Sequence, residues 1–421
     1  MKPTLLLLAL AACGDNLERT TIDDVTTWRG EVIGGASDDE VLDLALASDT
    51  LFVAGYRDGA LIENIEPSGN AVGYVRALSL DGELRWERTF DTSGADTVEG
   101  LHAAEDLAIV GRTRGAFDGA TNAGQVDAWV TRLALDGTGT PAILQLGDER
   151  AQHPVRIVRD ATGTMLVAGY DDIYTQGPAV LDETNPTVAR IRPDLTLEVY
   201  RREATVIGDQ HLAVEPTSVA GEMIVGGNVA AGPSQGAYVR RLAADGTDRW
   251  QVRLSSLGFD AVTAMTYGPD GNLYAALSTY EALGDRSYGE QDFAVAVIDP
   301  ETGAVIRAMQ AGSKAPDYPR GISVAADGSV FVAGETLGSL ARARPRGIYD
   351  LAVVRFAPDG TWDGAWQRGS DADDTARDVA IGPDAFYVGG YTHGALVPEV
   401  PVGGRRDGFV LRVPFELLIS P

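Results

Sequence analysis

Apolar residues in this chain gather into short runs, each closed as a rule by a small residue, and the pattern returns seven times. The runs are Leu51–Gly55, Leu107–Gly111, Met165–Gly169, Met223–Gly227, Leu273–Leu277, Val330–Gly334 and Phe386–Gly390. Successive runs are spaced by 50 to 58 residues, a period that marks stacked supersecondary units. Each unit reads as four strands. Strand a alternates or is apolar, as in Val41–Leu46, and strand b is the run itself. Strand c recurs as Tyr74-Val75-Arg76, Trp129–Arg132, Tyr238-Val239-Arg240, Phe293-Ala294-Val295 and Phe409-Val410-Leu411. Strand d follows a tight turn and often carries Trp, as at Trp86 and Trp250. Val-rich and aromatic runs punctuated by Asp-Gly are hairpin signals, here Asp81-Gly82, Asp136-Gly137, Asp245-Gly246 and Asp359-Gly360.

The two ends decide between a closed ring and an open stack. After its strand c the seventh unit runs only from Pro414 to Pro421, with no Asp-Gly turn and no strand d. The N-terminal part supplies a surplus strand. Trp28 precedes Asp38 by the spacing that separates Trp86 from Asp96 and Trp250 from Asp260, so residues 27–33 read as an orphan strand d. Pairing the surplus with the deficit removes two exposed sheet edges. The expectation is an all-β, seven-bladed β-propeller over residues 27–421, with the N-terminal strand completing the last blade.

The string from Gly73 to Trp86, and its continuation through Asp96 to Val110-Gly111, resembles the bacterial SBBP-type β-propeller repeat. The similarity covers about residues 27 to 413, with the third and fifth units the most divergent. It implies a fold common in exported bacterial proteins and no single activity. The Asp-Gly…Trp portion is also similar to quinoprotein-type repeats, which usually make eight blades, against seven here.

Export is written at the start. Met1-Lys2 is a minimal basic start, and Leu5–Ala12 is apolar but too short to span a bilayer, so residues 1–12 read as a signal peptide. Leu10-Ala11-Ala12-Cys13 resembles the bacterial lipobox. That resemblance implies cleavage before Cys13 and its acylation, and several acyl chains hold a protein where one does not. Gly14 in place of Asp favours outer-membrane sorting. Residues 13–26 are polar and read as a lipidated tether.

The net charge of -27 repels phosphate backbones, so nucleic acid is not expected as a partner. The single cysteine excludes an intrachain disulfide. No nucleophile elbow, zinc-protease, phosphate-loop or EF-hand motif is present. Trp86, Trp250 and Trp366 recur with the repeat and read as blade-packing residues. The connections from strand b to strand c are long, about residues 57–72, 112–126, 171–186, 278–291, 335–349 and 391–406, and gather on one face, either as binding loops or as neutral insertions. On the same face, at the entry to strand a, lie Asp39, Asp96, His153, His211, Asp260, Asp317 and Asp374. Gln152-His153 and Gln210-His211 are expected at one place in neighbouring blades. Such a ring would hold a divalent cation or cationic ligand at the channel mouth, or its Asp residues would cap turns.

The reading is a monomeric, lipid-anchored envelope module that binds a protein, glycan or cation through the long-loop face. The alternatives are a hydrolase or lyase acting on envelope polysaccharide, and an outer-membrane assembly scaffold.

Overall fold

The computed structural model describes residues 29–33, 37–62, 66–172, 184–203, 209–230, 235–255, 260–284, 286–341, 343–396 and 405–421. Cys13, residues 1–12 and 13–26 read above as signal peptide and tether, Trp28 and parts of several long b–c connections lie outside the described residues.

Seven four-stranded antiparallel sheets form seven blades. Strand a of the first blade is Asp38–Ala47, and its partners b, c and d are Thr50–Ile62, Glu66–Ser79 and Leu84–Phe90. The remaining strands a are Asp96–Ala103, Ala151–Arg159, Gln210–Pro216, Ala261–Tyr267, Asp317–Val324 and Asp374–Ile381. Strand a of each blade packs on its neighbours in both directions, the first against the seventh included, so the ring is closed. The chain is a seven-bladed β-propeller.

Closure comes from the N-terminal strand Arg29–Ile33, which pairs with Asp407–Pro414 from Arg29 opposite Arg412 to Ile33 opposite Gly408. The register differs by one residue from the Trp28 spacing. Asp39, not Asp38, stands where Asp96 stands in the second blade, because Val41 faces Gly55 as Val98 faces Gly111. Arg29, not Trp28, therefore occupies the place of Trp250, which faces Arg241.

One irregularity repeats in every blade. Each strand a skips a residue in its pairing with strand b: Leu42, Glu99, Val155, Leu212, Thr263, Arg320 and Arg377. Such a β-bulge re-aims a side chain. The glycines that close the apolar runs make room for it. A Cβ on Gly55 would sit 1.9 Å from the Glu40 carbonyl oxygen, one on Gly334 1.9 Å from that of Tyr318, and one on Gly390 1.9 Å from that of Thr375. The small residue that made the repeat legible is thus where strand a presses its backbone onto strand b.

The tryptophans divide. Trp86 donates to the Leu135 carbonyl at 3.0 Å and lies against Gly137, and Trp250 donates to the Pro300 carbonyl at 3.2 Å and lies against Gly303. Each docks on the c–d turn of the next blade. Trp366 is not their equivalent: Gly364 faces Arg355 as Trp250 faces Arg241, and Trp366 lies two residues on, with its ring 6.0 Å from Phe386. The sixth blade has no such turn to dock on, because strand d of the seventh comes from the N-terminal end. The tail takes its place: Phe415 packs with Phe331 and Phe386, and Ile419 bridges to Ala365.

The first b–c connection also departs from a loop. Strands b and c of the first blade continue pairing out to Ile62 opposite Glu66, past a break at Asp58, whose φ is 59°.

Candidate functional site

The seven bulge side chains surround one end of the central channel and line a cavity of about 490 Å³. The wall is completed by Glu40, Tyr56, Arg112, Arg156, Tyr170, Tyr391 and Arg406. In a chain of net charge -27 this wall carries five guanidinium groups and two carboxylates.

Glu40 organises one side of it across the closure seam. Its carboxylate accepts from Arg377 Nε and from Arg406 Nη1, each at 2.6 Å, and from the Tyr56 hydroxyl at 3.2 Å. Burial pushes its pKa up, but the two guanidinium groups outweigh that and hold it below the usual value. The Arg406 guanidinium lies 3.8 Å from the centre of the Tyr391 ring and that of Arg377 5.3 Å, cation–π contacts that fix both heads. On another side Arg112 Nε meets Glu99 at 2.7 Å, and Arg320 pairs with Glu335 through Nε at 3.1 Å and Nη2 at 2.5 Å.

The predicted ring of Asp residues does not line this cavity. Asp39, Asp96, Asp260, Asp317 and Asp374 are buried. Their carboxylates tie turns. Asp96 accepts from the Thr92 backbone N–H at 2.6 Å and its hydroxyl at 2.9 Å, Asp317 from the Ser313 N–H at 2.6 Å and from Thr336, and Asp374 from the Ser370 N–H at 2.5 Å. Asp39 accepts from Asp58 N–H at 2.9 Å, and Asp260 from Thr279 Oγ1 at 3.1 Å. The turn-capping alternative describes Asp96, Asp317 and Asp374, each closing a four-residue loop on its own backbone, while Asp39 and Asp260 tie the start of strand a to the end of strand b. Among the described residues no three His, Cys, Asp or Glu converge to hold a metal ion.

Burial raises these carboxyls, Asp317 to about 7 and Asp96 and Asp374 to about 6. A carboxyl with a folded pKa above its unfolded value favours the folded state while protonated. Its contribution is lost as pH rises from about 4 through the folded pKa. Asp317→Asn should remove that dependence, so the gap between the variant's unfolding free energies at pH 4.5 and 7.5 should be narrower by a few kcal/mol, on the order of the shift. Urea titrations at the two pH values test it; parallel losses in both proteins would contradict the assignment.

The histidines do not share a place. His153 faces Tyr170 and His211 faces Gly227, one residue further along the repeat, so Gln152 and Asp209 are the true equivalents of Asp96. The difference is a one-residue offset, which in a strand turns the side chain to the other face. His153 stacks on Tyr170 at 4.8 Å, receives Arg112 Nη1 at 3.1 Å on Nδ1, and sets Nε2 3.3 Å from Asp172. His211 is fully buried against the Tyr238 hydroxyl at 2.7 Å, and burial lowers its pKa to about 3, so it is neutral.

Below the mouth the channel is crossed by charge. Arg156 of the third blade reaches Asp43 of the first, whose other oxygen accepts from Leu101 N–H at 2.6 Å. Asp378 of the seventh blade accepts from Leu44 N–H at 3.1 Å. Burial raises the Asp378 carboxyl well above its usual value, against the pull of Arg156 and with the push of Asp43. The residues at the same step in the other blades are Gly100, Ala213, Ala264 and Gly321, small enough to leave Arg156 its path. Glu215 lines the same stretch, and burial raises it to about 8 despite Arg156.

Sequence reasoning missed the bulge ring, Glu40, Arg112, Arg156 and Arg406. Their signal was present only as position: the bulge residue stands three places after the residue equivalent to Asp96 in each blade, and its type, from Leu to Glu to Arg, follows no repeat.

No family model matches this sequence, and no curated protein matches it either. Solved structures do match in shape. A chain of the COPII outer coat vertex on membranes superposes with a TM-score of 0.50 at 7% identity, over 90% of this chain and 84% of that one. Sqt1 from Chaetomium thermophilum gives 0.45 at 10% identity, over 85% and 81%. A 6-phosphogluconolactonase-like protein from Bacteroides uniformis gives 0.45 at 14% identity, over 89% and 97%. At these identities the likeness concerns the propeller fold alone.

Proposed function

We propose that this chain is a lipid-anchored binding module of the bacterial cell envelope that receives its partner at the channel mouth. The observation that carries the reading is the cavity itself: a bulge in every blade turns one side chain per blade into it. Seven repeats of one fold thereby present seven side chains of five types around one opening, the arrangement expected where a rigid scaffold carries recognition. The anchor rests on Leu10-Ala11-Ala12-Cys13, and the SBBP-type resemblance supports an exported bacterial setting.

A hydrolase or lyase would need an acid–base group open to the cavity, but the strongly raised carboxyls Glu215 and Asp378 lie along the channel below the mouth and His211 is sealed against Tyr238. Binding is the function the geometry favours.

The test is made in cells. With a photo-crosslinking residue at Leu212 on the mouth, or at Asp245 in a c–d turn on the opposite face, irradiation should give adducts from Leu212 and not from Asp245. Cys13→Ser should move the protein from the membrane pellet to the soluble fraction. Adducts from Asp245 alone would overturn the choice of face, and continued sedimentation of the Ser variant would overturn the anchor.

A further inference from the structure

Around the mouth the bulge residues run, blade by blade, Leu42, Glu99, Val155, Leu212, Thr263, Arg320 and Arg377. The two arginines are neighbours. In a ring of seven, the blade opposite the boundary between the sixth and seventh is the third, where Val155 stands, with Leu212 beside it. Glu99, the acidic member of the ring, is held by Arg112 at 2.7 Å. Arg112 and Arg156 also line the cavity at the second and third blades, but they are bound there to Glu99 and Asp43, so the open guanidinium donors of the sixth and seventh blades face Val155 and Leu212.

The cationic side keeps donors in hand. Arg377 commits Nε to Glu40, and among the described residues its two Nη atoms donate no hydrogen bond. Arg320 commits Nε and Nη2 to Glu335, and its Nη1 donates none. Both side chains are partly open, 30% for Arg377 and 38% for Arg320, and both line the cavity. Glu40 and Glu335 hold the guanidinium planes in place, and the cation–π contact of Arg377 with Tyr391 adds to this. An anion placed between the two heads meets preset N–H groups, and charge-assisted hydrogen bonds of that kind are the strong ones. The Thr263 hydroxyl flanks the pair in the adjacent blade.

Resting on the channel-mouth reading above, we infer that the ligand is a small amphiphilic organic anion: its acidic head lies on Arg320 and Arg377 and its hydrocarbon body on Val155 and Leu212. A cavity of about 490 Å³ is in the size range of small-molecule sites. A cationic ligand is disfavoured by the same five guanidinium groups. A simple inorganic anion would leave the apolar wall exposed to water, so it gains nothing from that side.

Octanoate is a suitable probe, with 1-octanol and acetate as controls for head and body, measured by isothermal titration calorimetry on the purified chain. Octanoate should bind with saturable 1:1 heat, and each control should bind at least about tenfold more weakly. Arg320→Gln made together with Glu335→Gln keeps that pair hydrogen-bonded and neutral. It should weaken octanoate at least about tenfold while leaving octanol unchanged. Leu212→Glu, a substitution at a cavity-facing bulge, should also abolish octanoate binding, with an unchanged melting curve showing that the fold is intact. Octanol binding as tightly as octanoate, an unaffected Gln double variant, or no saturable heat at millimolar octanoate would each overturn the inference. Crosslinks from Leu212 in cells combined with no octanoate binding would sink the ligand class and leave the channel-mouth reading standing.

Discussion

A chain that begins after Ile33 should lose about 5 kcal/mol or more of its stability and aggregate, whereas one that begins at residue 27 should unfold like the full-length protein. The strand Arg29–Ile33 covers the edge of Asp407–Pro414 along five paired residues. Without it, backbone groups of the last blade lose their partners, at about 1 kcal/mol net for each hydrogen bond. The burial of Ile33 against Val41 and Val410 is lost as well, about 2 kcal/mol more. The seam around Glu40 then has to hold the ring alone, through its contacts with Arg377 and Arg406. A bare strand edge is also a template for another chain. Thermal unfolding followed by size-exclusion chromatography compares the two truncations. Equal melting temperatures would show that the ring does not depend on this strand. A synthetic peptide of residues 27–36 should restore part of the loss, which a general defect in folding would not allow.

Arg156→Met should cost about 3 to 5 kcal/mol, the penalty for leaving buried charge without its partner. Arg156 is the cation between Asp43 and Asp378 in the channel, and Glu215 lies near enough to feel it. Removing it leaves carboxyls from the first, fourth and seventh blades facing one another across a narrow space. The raised pKa values of Asp378 and Glu215 should then rise further, so the variant regains stability as pH falls toward 5 while the parent protein gains less. Adding Asp43→Asn and Asp378→Asn to the Met variant should recover most of the loss, because no charge is then left unpaired. Guanidinium titrations at pH 7 and pH 5 give both comparisons. A Met variant as stable as the parent at pH 7 would mean that the channel carboxyls are neutralised without Arg156.

Much of the fold was legible because the signals for it are local. An apolar run with its terminal glycine spans five residues and the Asp-Gly turn follows within about thirty, inside one repeat, and their recurrence gave seven units. The missing strand at one end and the surplus one at the other gave closure. The same locality explains the errors. Trp366 looked like Trp86 by its place in strand d, but its role depends on whether the next blade has a c–d turn to dock on. Trp28 looked like Trp86 by spacing, but pairing across the seam set the register one residue away. His153 and His211 looked alike beside their glutamines, and the one-residue offset turned them to opposite faces.

The sequence by itself determined the period, the strand content and the blade count, because hydrophobic alternation and turn chemistry act over a few bonds. Only the tertiary structure decided which side chains see the channel. A bulge residue is defined by the strand it fails to pair with, and its neighbours around the opening come from blades some 50 residues apart in sequence or more. Glu40 shows the difference. In the sequence it is one acid among 61 Asp and Glu residues, and in the closed ring it joins the first blade to two arginines of the last.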